Sequence, residues 1–289
     1  MLILILGAQG MLGQVLVNEF SHAKYEVVGW DRADLDITDR EKVLEKIGIL
    51  KPKIIINAAA YNNIDKAETE DGDLVFKINS DAIGYLVEAS SQVGALFAHY
   101  STDYVFRGDQ KDGYAEDATP DPQSVYAKSK FEGENRLLSL RAARSNLKFY
   151  LIRTSRLFGS AGMGEGVKKS FVDVMLKLGS EKDSLDLVDE EVSSPTYVVD
   201  LARVTRELIE SGAPVGIYHC TNSGACSWYE WAREIFKLAD LPVKLNSISA
   251  DKFPRPAKRP KFSKLLNTKL PPLRSWQEAL AEYLTAKKK

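Results

Sequence analysis

The beginning of the chain constrains the fold more than any other segment. Five apolar residues, Leu2–Leu6, run directly into Gly7, and further glycines follow at positions 10 and 13. A short continuous apolar run is typical of a strand covered on both faces, and the apolar spacing over Leu12–Phe20 is typical of an amphipathic helix. We therefore predict a strand, a tight glycine turn and a helix in immediate succession.

The same alternation continues through the first half of the sequence. The predicted strands are Leu2–Leu6, Glu26–Trp30, Ile54–Asn57, Leu96–Tyr100 and Phe149–Ile152. The predicted helices are Leu12–Phe20, Arg40–Gly48 with Asp39 as its N-cap, Leu74–Val93 and Ser124–Arg144. Strands and helices in strict alternation with short joints predict an α/β fold, a doubly wound parallel sheet of the Rossmann type.

The glycine spacing in the first turn, G-x-x-G-x-x-G, indicates what that turn can bind. Gly7, Gly10 and Gly13 permit a tight turn and let a pyrophosphate approach backbone N–H groups at the positive end of a helix. The second strand ends in Asp31-Arg32. The acid suits the ribose diol of NAD and the arginine suits the 2′-phosphate of NADP, so this pair leaves the choice of dinucleotide open.

Beyond Arg153 the regular alternation breaks down, with a glycine-rich stretch from Gly159 to Gly166. The predicted elements there are helices at Phe171–Leu178, Val199–Ile209, Trp228–Leu238 and Ser275–Thr285 and a strand at Ile217–His219. We interpret residues 1–155, with part of 196–222, as a dinucleotide-binding domain. Residues 156–289 then form mostly a smaller, interleaved substrate-binding domain over the carboxyl ends of the strands, where open α/β sheets bind ligands.

Two further motifs follow the later strands. Tyr126 and Lys130 stand four residues apart at the start of a predicted helix, so both side chains can point into one cleft. A neighbouring ammonium favours the phenolate, so we expect Lys130 to lower the pKa of Tyr126 from its ordinary value of about 10. Thr102, at the end of the fourth strand, offers a hydroxyl that can bond a substrate carbonyl in the same crevice.

Composition narrows the function classes. Lys and Arg total 39 against 40 Asp and Glu, so no overall field attracts nucleic acid or an anionic membrane. The local exception is seven basic residues without an acid between Lys252 and Lys269, which form either a solvated loop or a site for an anionic ligand. Cys220 and Cys226 are too few for a disulfide framework or a zinc site. We therefore expect a cytoplasmic protein without a bound metal or a membrane span.

Taken in sequence order, these motifs resemble the extended short-chain dehydrogenase/reductase family and, within it, the dTDP-4-dehydrorhamnose reductases. The most specific runs are Asn57-Ala58-Ala59-Ala60-Tyr61 and Ser101-Thr102-Asp103-Tyr104-Val105-Phe106, and Arg153-Thr154-Ser155, Ser194-Pro195-Thr196-Tyr197, Cys226-Ser227-Trp228 and Arg259-Pro260 extend the similarity nearly to the end. The resemblance implies reduction of the C4 keto group of dTDP-4-dehydro-L-rhamnose with NADPH, or with NADH as the alternative.

The resemblance also implies roles for individual residues. Tyr126 would be the proton donor, Lys130 its electrostatic partner and ribose ligand, and Thr102 the carbonyl-binding hydroxyl. The cofactor would be lined by Gly7, Gly10, Met11, Leu12, Gly13, Asp31, Arg32, Asp36, Ile37, Ala59 and Ala60 together with Tyr126 and Lys130. The nucleotide sugar would contact Thr102, Asp103, Arg156 and Arg259.

Two positions depart from the family pattern. Arg156 stands where these reductases commonly have a tryptophan that packs on the sugar, and Lys168-Lys169-Ser170 precedes Phe171 where asparagine is usual. Both positions concern the sugar pocket. The exact sugar and nucleotide therefore stay open, whereas the reductase chemistry does not depend on them.

Other functions remain as alternatives. A 4,6-dehydratase would need a second carboxylate after Asp103, where this chain has Tyr104, but a 4-epimerase needs only the tyrosine, the lysine and a retained cofactor. A non-catalytic NADP-binding regulatory subunit is a third alternative, and the intact Thr102, Tyr126 and Lys130 count against it. The oligomeric state also stays open, with a homodimer among the alternatives.

Overall fold

The computed structural model describes residues 1–143, 147–163 and 169–287. Arg144, with which the predicted fourth helix ends, Lys168 and the last glycines of the stretch up to Gly166 lie outside these ranges. Across the described residues the central sheet is parallel and consists of β1 (Leu2–Leu6), β2 (Glu26–Trp30), β3 (Ile54–Asn57), β4 (Leu96–Thr102), β5 (Phe149–Thr154) and β9 (Gly216–His219). The spatial order of these six strands is β2-β1-β3-β4-β5-β9.

Helices cover both faces of this sheet, which is why its strands are continuous apolar runs rather than alternating ones. On one face lie α1 (Met11–His22) and α8 (Val198–Ser211), packed around Leu16 and Leu201. On the other face lie α2 (Arg40–Leu50), α5 (Ala82–Val93) and α6 (Val125–Ala143). The short helices α3 (Ile64–Thr69) and α4 (Gly72–Phe76) precede α5.

A second group of elements is built around an aromatic cluster. Its strands pair in parallel as β6 (Leu157–Phe158) with β8 (Thr196–Tyr197) and β7 (Ser184–Val188) with β10 (Lys244–Ile248). Its helices are α7 (Phe171–Glu181), α9 (Trp228–Ala239) and α10 (Trp276–Lys287), which enclose Phe158, Trp231 and Tyr283. No helix in the described ranges is long and apolar enough to cross a membrane.

The prediction of an α/β doubly wound parallel sheet is confirmed, and Asp39 caps α2 by accepting a hydrogen bond from the Lys42 N–H. The single helix predicted over Leu74–Val93 is wrong in its first half. There the chain forms α4 and then a π-helical turn, Lys77–Asp81, before α5 begins. The turn brings the Asn79 carbonyl so close to α6 that a Cβ on Gly133 would lie 2.1 Å from it.

The order of the strands opens a crevice at the carboxyl ends of β1 and β3. Because β1 pairs with β2 on one side and β3 on the other, the connections leave these neighbouring strands in opposite directions. Gly7 has a φ of 73°, and a Cβ there would lie 2.7 Å from the Ala59 nitrogen. The two segments that follow β1 and β3 therefore meet at the crevice where a ligand is expected.

Candidate active site

The glycine turn after β1 is shaped by close backbone contacts. A Cβ on Gly13 would lie 1.9 Å from the Gly7 carbonyl oxygen, so no side chain fits there unless the loop moves. The N-cap of α1 is Gly10, which has no side chain with which to accept a hydrogen bond from the first turn of the helix. The N–H groups of that turn, including those of Met11 and Leu12, are thus left to a ligand at the positive end of the helix.

The end of β2 contributes an acid and a base beside this turn. The Asp31 carboxylate accepts hydrogen bonds from the backbone N–H groups of Gln9 at 2.9 Å and Arg32 at 2.8 Å. The Arg32 guanidinium is mostly exposed and lies 3.8 Å from Asp36. Both Asp31 oxygens thus already have a backbone donor, whereas the guanidinium can turn towards an anionic group. Ile37 is buried, while Ala60 is exposed.

The three predicted catalytic side chains come from two neighbouring elements. Thr102 ends β4, where its hydroxyl donates to Asp103 and accepts from the Tyr104 N–H, both at 3.2 Å. Tyr126, in the first turn of α6, is within hydrogen-bonding reach of Thr102, and its ring meets Tyr104 edge to face at 6.1 Å. Lys130 is buried one turn later, and its Nζ donates to the Tyr100 carbonyl at 2.7 Å.

The prediction that the pKa of Tyr126 is lowered is wrong. Burial raises the pKa of Tyr126, hydrogen bonding with Thr102 works against that rise, and Asp103 and Tyr104 add to it. The Lys130 ammonium, whose Nζ donates to the Tyr100 carbonyl, does not reverse this rise. The structure therefore holds Tyr126 as a neutral phenol, which is the protonation state of a proton donor.

Asp103 connects this pair to the C-terminal part of the chain. Ser263 donates a hydrogen bond of 2.5 Å to its carboxylate, on the oxygen that Thr102 does not use. Burial raises the pKa of Asp103, against that bond and the charge of Arg156. Ser263 belongs to the segment in which the sequence predicted a basic stretch, so this segment reaches the floor of the site.

Arg156 is one of the two positions that the sequence analysis set apart from the family pattern. Its backbone is left-handed, with a φ of 41°. The guanidinium donates to the carbonyls of Cys226 at 2.9 Å and Glu191 at 2.7 Å, and it lies 3.8 Å from the centre of the Trp228 ring. The cation is therefore engaged with the protein itself and acts on the carboxylate of Asp103 from the wall of the site.

In the folded chain, two arginines of the predicted basic stretch are paired with carboxylates. Arg259 donates to both carboxylate oxygens of Asp65 in α3, at 2.8 and 2.7 Å. Arg255 is paired with Glu191. Both acids come from distant parts of the chain, so the sequence pattern could not reveal them. Lys258, between the two arginines, is exposed.

Two buried polar residues near the site were not foreseen from the sequence. Asn79 in the π-helical turn accepts from the Tyr61 N–H at 2.9 Å and donates to Ser129 of α6 at 3.0 Å, which ties the loop after β3 to this helix. Glu134 is fully buried on α6. Neither lies in a recognisable motif, because their partners are remote in sequence. Within the described ranges, no three His, Cys, Asp or Glu side chains form a group that could hold a metal.

Comparison with known proteins agrees with this geometry. The family model described as the RmlD substrate binding domain matches residues 1–288. The chain belongs to the RmlD substrate-binding-domain family. Among RmlD-like proteins, a dTDP-4-dehydrorhamnose reductase of Aggregatibacter actinomycetemcomitans is 37% identical over 296 residues, which cover 96% of each chain.

Solved structures give the same assignment. The crystal structure of a dTDP-4-dehydrorhamnose reductase from Clostridium acetobutylicum matches with a TM-score of 0.92 and 40% identity and covers 100% of each chain. That of a dTDP-4-dehydrorhamnose reductase from Bacillus anthracis, in complex with NADP, matches with a TM-score of 0.91 and 35% identity and covers 99% of each chain. The RmlD-family fold thus extends over the whole chain.

Proposed function

We propose that this chain is an NADPH-dependent reductase that converts the C4 keto group of dTDP-4-dehydro-L-rhamnose to the alcohol of dTDP-L-rhamnose. The observation that carries the proposal is the pairing of the Thr102 hydroxyl with a neutral Tyr126 phenol, beside an intact glycine turn. Membership of the RmlD family and the names of the related reductases support it.

NADPH fits the glycine turn, because Gly7 and Gly13 leave no room for side chains and the start of α1 offers unshared N–H groups. The complex of the Bacillus anthracis relative with NADP and the exposed Arg32 guanidinium favour NADPH over NADH. When bound, the reduced nicotinamide supplies a hydride to the carbonyl carbon. The residues proposed to line the cofactor are Gly7, Gly10, Met11, Leu12, Gly13, Asp31, Arg32, Asp36, Ile37, Ala59, Ala60, Tyr126 and Lys130.

The chain's own residues then act on the carbonyl oxygen. Thr102 and Tyr126 donate hydrogen bonds to it, and these bonds strengthen as negative charge develops there. Tyr126 gives its proton to the oxygen, and its raised pKa keeps that proton in place until the charge appears. Lys130, four residues later on the same helix, supplies a positive charge that favours the phenolate left behind.

We propose that Thr102, Asp103, Arg156 and Arg259 contact the nucleotide sugar. Asp103 is fixed by Ser263 and can accept hydrogen bonds from sugar hydroxyls. Arg259 would contact the diphosphate. Its pairing with Asp65 means that this contact shares or replaces an existing ion pair, whereas Arg156 keeps its backbone partners.

The proposal is tested by measuring NADPH oxidation with dTDP-4-dehydro-L-rhamnose and with a panel of other nucleotide-linked 4-keto sugars. We expect one NADPH to be oxidised for each sugar reduced, with the rhamnose precursor preferred. A 4-epimerase would interconvert sugars without net NADPH consumption, and a regulatory subunit would bind NADPH without oxidising it. Either result, or activity confined to another sugar, would contradict the assignment.

A further inference from the structure

Lys130 shares its buried surroundings with two other charged groups. Glu134 follows four residues later on α6 and therefore lies on the same face of the helix. Its carboxylate accepts hydrogen bonds from Arg153 of β5, from Nε at 3.0 Å and from Nη2 at 2.7 Å. The Arg153 and Glu134 side chains are only 2% and 0% exposed. An ammonium, a carboxylate and a guanidinium are thus enclosed together behind the catalytic tyrosine.

The Glu134 carboxylate is held in place by its partner. Arg153 also donates to the Glu116 carbonyl at 3.4 Å, and its guanidinium lies 5.1 Å from the centre of the Phe106 ring. Anchored in this way to β5 and the loop before α6, the guanidinium fixes the carboxylate at a constant place relative to Lys130. A mobile carboxylate could not give a lysine a constant electrostatic environment.

The charge of Lys130 depends on a balance between its burial and the neighbouring carboxylate. Burial lowers the pKa of Lys130 to about 8, and the negative charge of Glu134 opposes that fall. Towards β4 lies His99, whose pKa is held well below its ordinary value by burial and by the Lys130 charge, so this imidazole is neutral. Towards the cleft, one turn earlier on the helix, lies the neutral phenol of Tyr126, with Asp103 beyond it.

We propose that Glu134 is a positioning residue for the reaction and that, anchored by Arg153, it maintains Lys130 as an ammonium ion at the Tyr100 carbonyl. Its catalytic consequence rests on the proposed function, since only a reaction through Tyr126 needs that charge. The electrostatic relation between Glu134 and Lys130 does not depend on the substrate. A purely structural ion pair joining α6 to β5 would affect stability and leave the titration of Lys130 unchanged.

The direct test is the titration of Lys130 in the full-length chain labelled with [ε-¹³C]lysine, with and without NADPH. The Lys130 signal is assigned by its loss in Lys130→Met. In Glu134→Gln we expect the midpoint to fall by about 1–2 pH units, the size of a buried charge interaction at an effective dielectric constant of about 20. Activity requires the ammonium and is lost as pH rises through its pKa, so the alkaline limb of kcat should move to lower pH by the same amount.

Two further variants separate charge from structure. Glu134→Asp keeps the negative charge, so the titration midpoint of Lys130 should return most of the way to its wild-type value. Glu132→Gln removes the same charge from the same helix, but its side chain is 47% exposed and pairs with Arg136 at 3.4 Å. Because that carboxylate faces solvent, the midpoint of Lys130 should stay at its wild-type value.

Glu134→Gln leaves the Arg153 guanidinium buried without its partner, which can prevent folding. The double variant Glu134→Gln/Arg153→Gln replaces the pair with neutral amides. The midpoint should still fall, but by less than in Glu134→Gln, because the buried guanidinium that repels the ammonium is removed together with the carboxylate. An unchanged midpoint in either folded variant overturns the inference. If instead none of the nucleotide-linked keto sugars supports NADPH oxidation by the wild-type chain, the proposed function fails. The titration of Lys130 then still decides the role of Glu134.

Discussion

Burial, rather than a neighbouring ammonium, sets the protonation of Tyr126, and this changes what its hydroxyl contributes. A phenol whose pKa is raised holds its proton at neutral pH and releases it only to a strong developing base. A positive charge at Lys130 favours the phenolate, but by less than burial disfavours it. The sequence could predict the pair, because one helix carries both residues. It could not predict the direction of the lysine, because the Tyr100 carbonyl comes from another strand.

Removing the Tyr126 hydroxyl should abolish proton donation and preserve the ring. In Tyr126→Phe we expect kcat to fall by about 10²–10⁴-fold, the usual contribution of a general acid, with the Kd for NADPH nearly unchanged. Steady-state kinetics and a fluorescence titration of NADPH measure the two quantities. The control is Tyr104→Phe, which removes the hydroxyl of the neighbouring tyrosine, whose ring centre lies 6.1 Å from that of Tyr126. This variant should lower kcat far less. Turnover at the wild-type rate in Tyr126→Phe would remove this residue from the mechanism.

Thr102 should matter most in the transition state, because its hydrogen bond strengthens as charge develops on the carbonyl oxygen. Thr102→Val keeps the shape of the side chain and removes the donor. We expect kcat to fall by about 10²-fold, while KM changes much less. A large rise in KM with an unchanged kcat would mean that Thr102 binds substrate and transition state equally well.

At the scale of elements, the sequence predicted best those helices and strands whose pattern lies within a single segment. The strands of the large sheet were predicted to within two residues, because continuous apolar runs mark strands covered on both faces. The two-residue strands β6 and β8 were missed, since neither Leu157–Phe158 nor Thr196–Tyr197 carries a pattern before they pair. The π-helical turn was missed for a similar reason: its close approach to Gly133 depends on a helix far along the chain.

The glycine turn offers a test at this scale. In Gly13→Ala the new methyl group would collide with the Gly7 carbonyl, so we expect a loss of about 1–3 kcal/mol of unfolding free energy and much weaker NADPH binding. Gly48→Ala, inside α2 with nothing within 4 Å of the added Cβ, is the matched control. It should leave NADPH binding intact and stabilise the chain by up to about 1 kcal/mol. Urea unfolding and NADPH titration measure both variants, and equal effects would contradict the close-contact argument.

At the scale of the whole molecule, the segment from residue 255 to residue 263 connects the two groups of elements across the site. Arg255 pairs with Glu191, Arg259 with Asp65 of α3, and Ser263 with Asp103 at the end of β4. Two features of the sequence pointed to this segment, the seven basic residues between Lys252 and Lys269 and the Arg259-Pro260 run of the family resemblance. How those charges are used depends on acids that the fold brings from elsewhere, and for that reason the pattern left a solvated loop and an anion site equally open.

The Arg259–Asp65 pair allows the proposed diphosphate contact to be tested against a purely structural role. If Arg259 contacts the substrate, Arg259→Ala should raise the substrate KM about tenfold, the size of a lost charge-assisted hydrogen bond, with the KM for NADPH nearly unchanged. Lys258→Ala, which removes an exposed charge from the adjacent position, is the control and should change little. Asp65→Asn releases the guanidinium from its protein partner and should leave the substrate KM unchanged or lower it. A structural pair would behave differently, because breaking it from either side would destabilise the chain to a similar extent and leave the substrate KM at its wild-type value. A higher substrate KM in Arg259→Ala, together with an unchanged or lower substrate KM in Asp65→Asn, therefore identifies an arginine that exchanges Asp65 for the substrate.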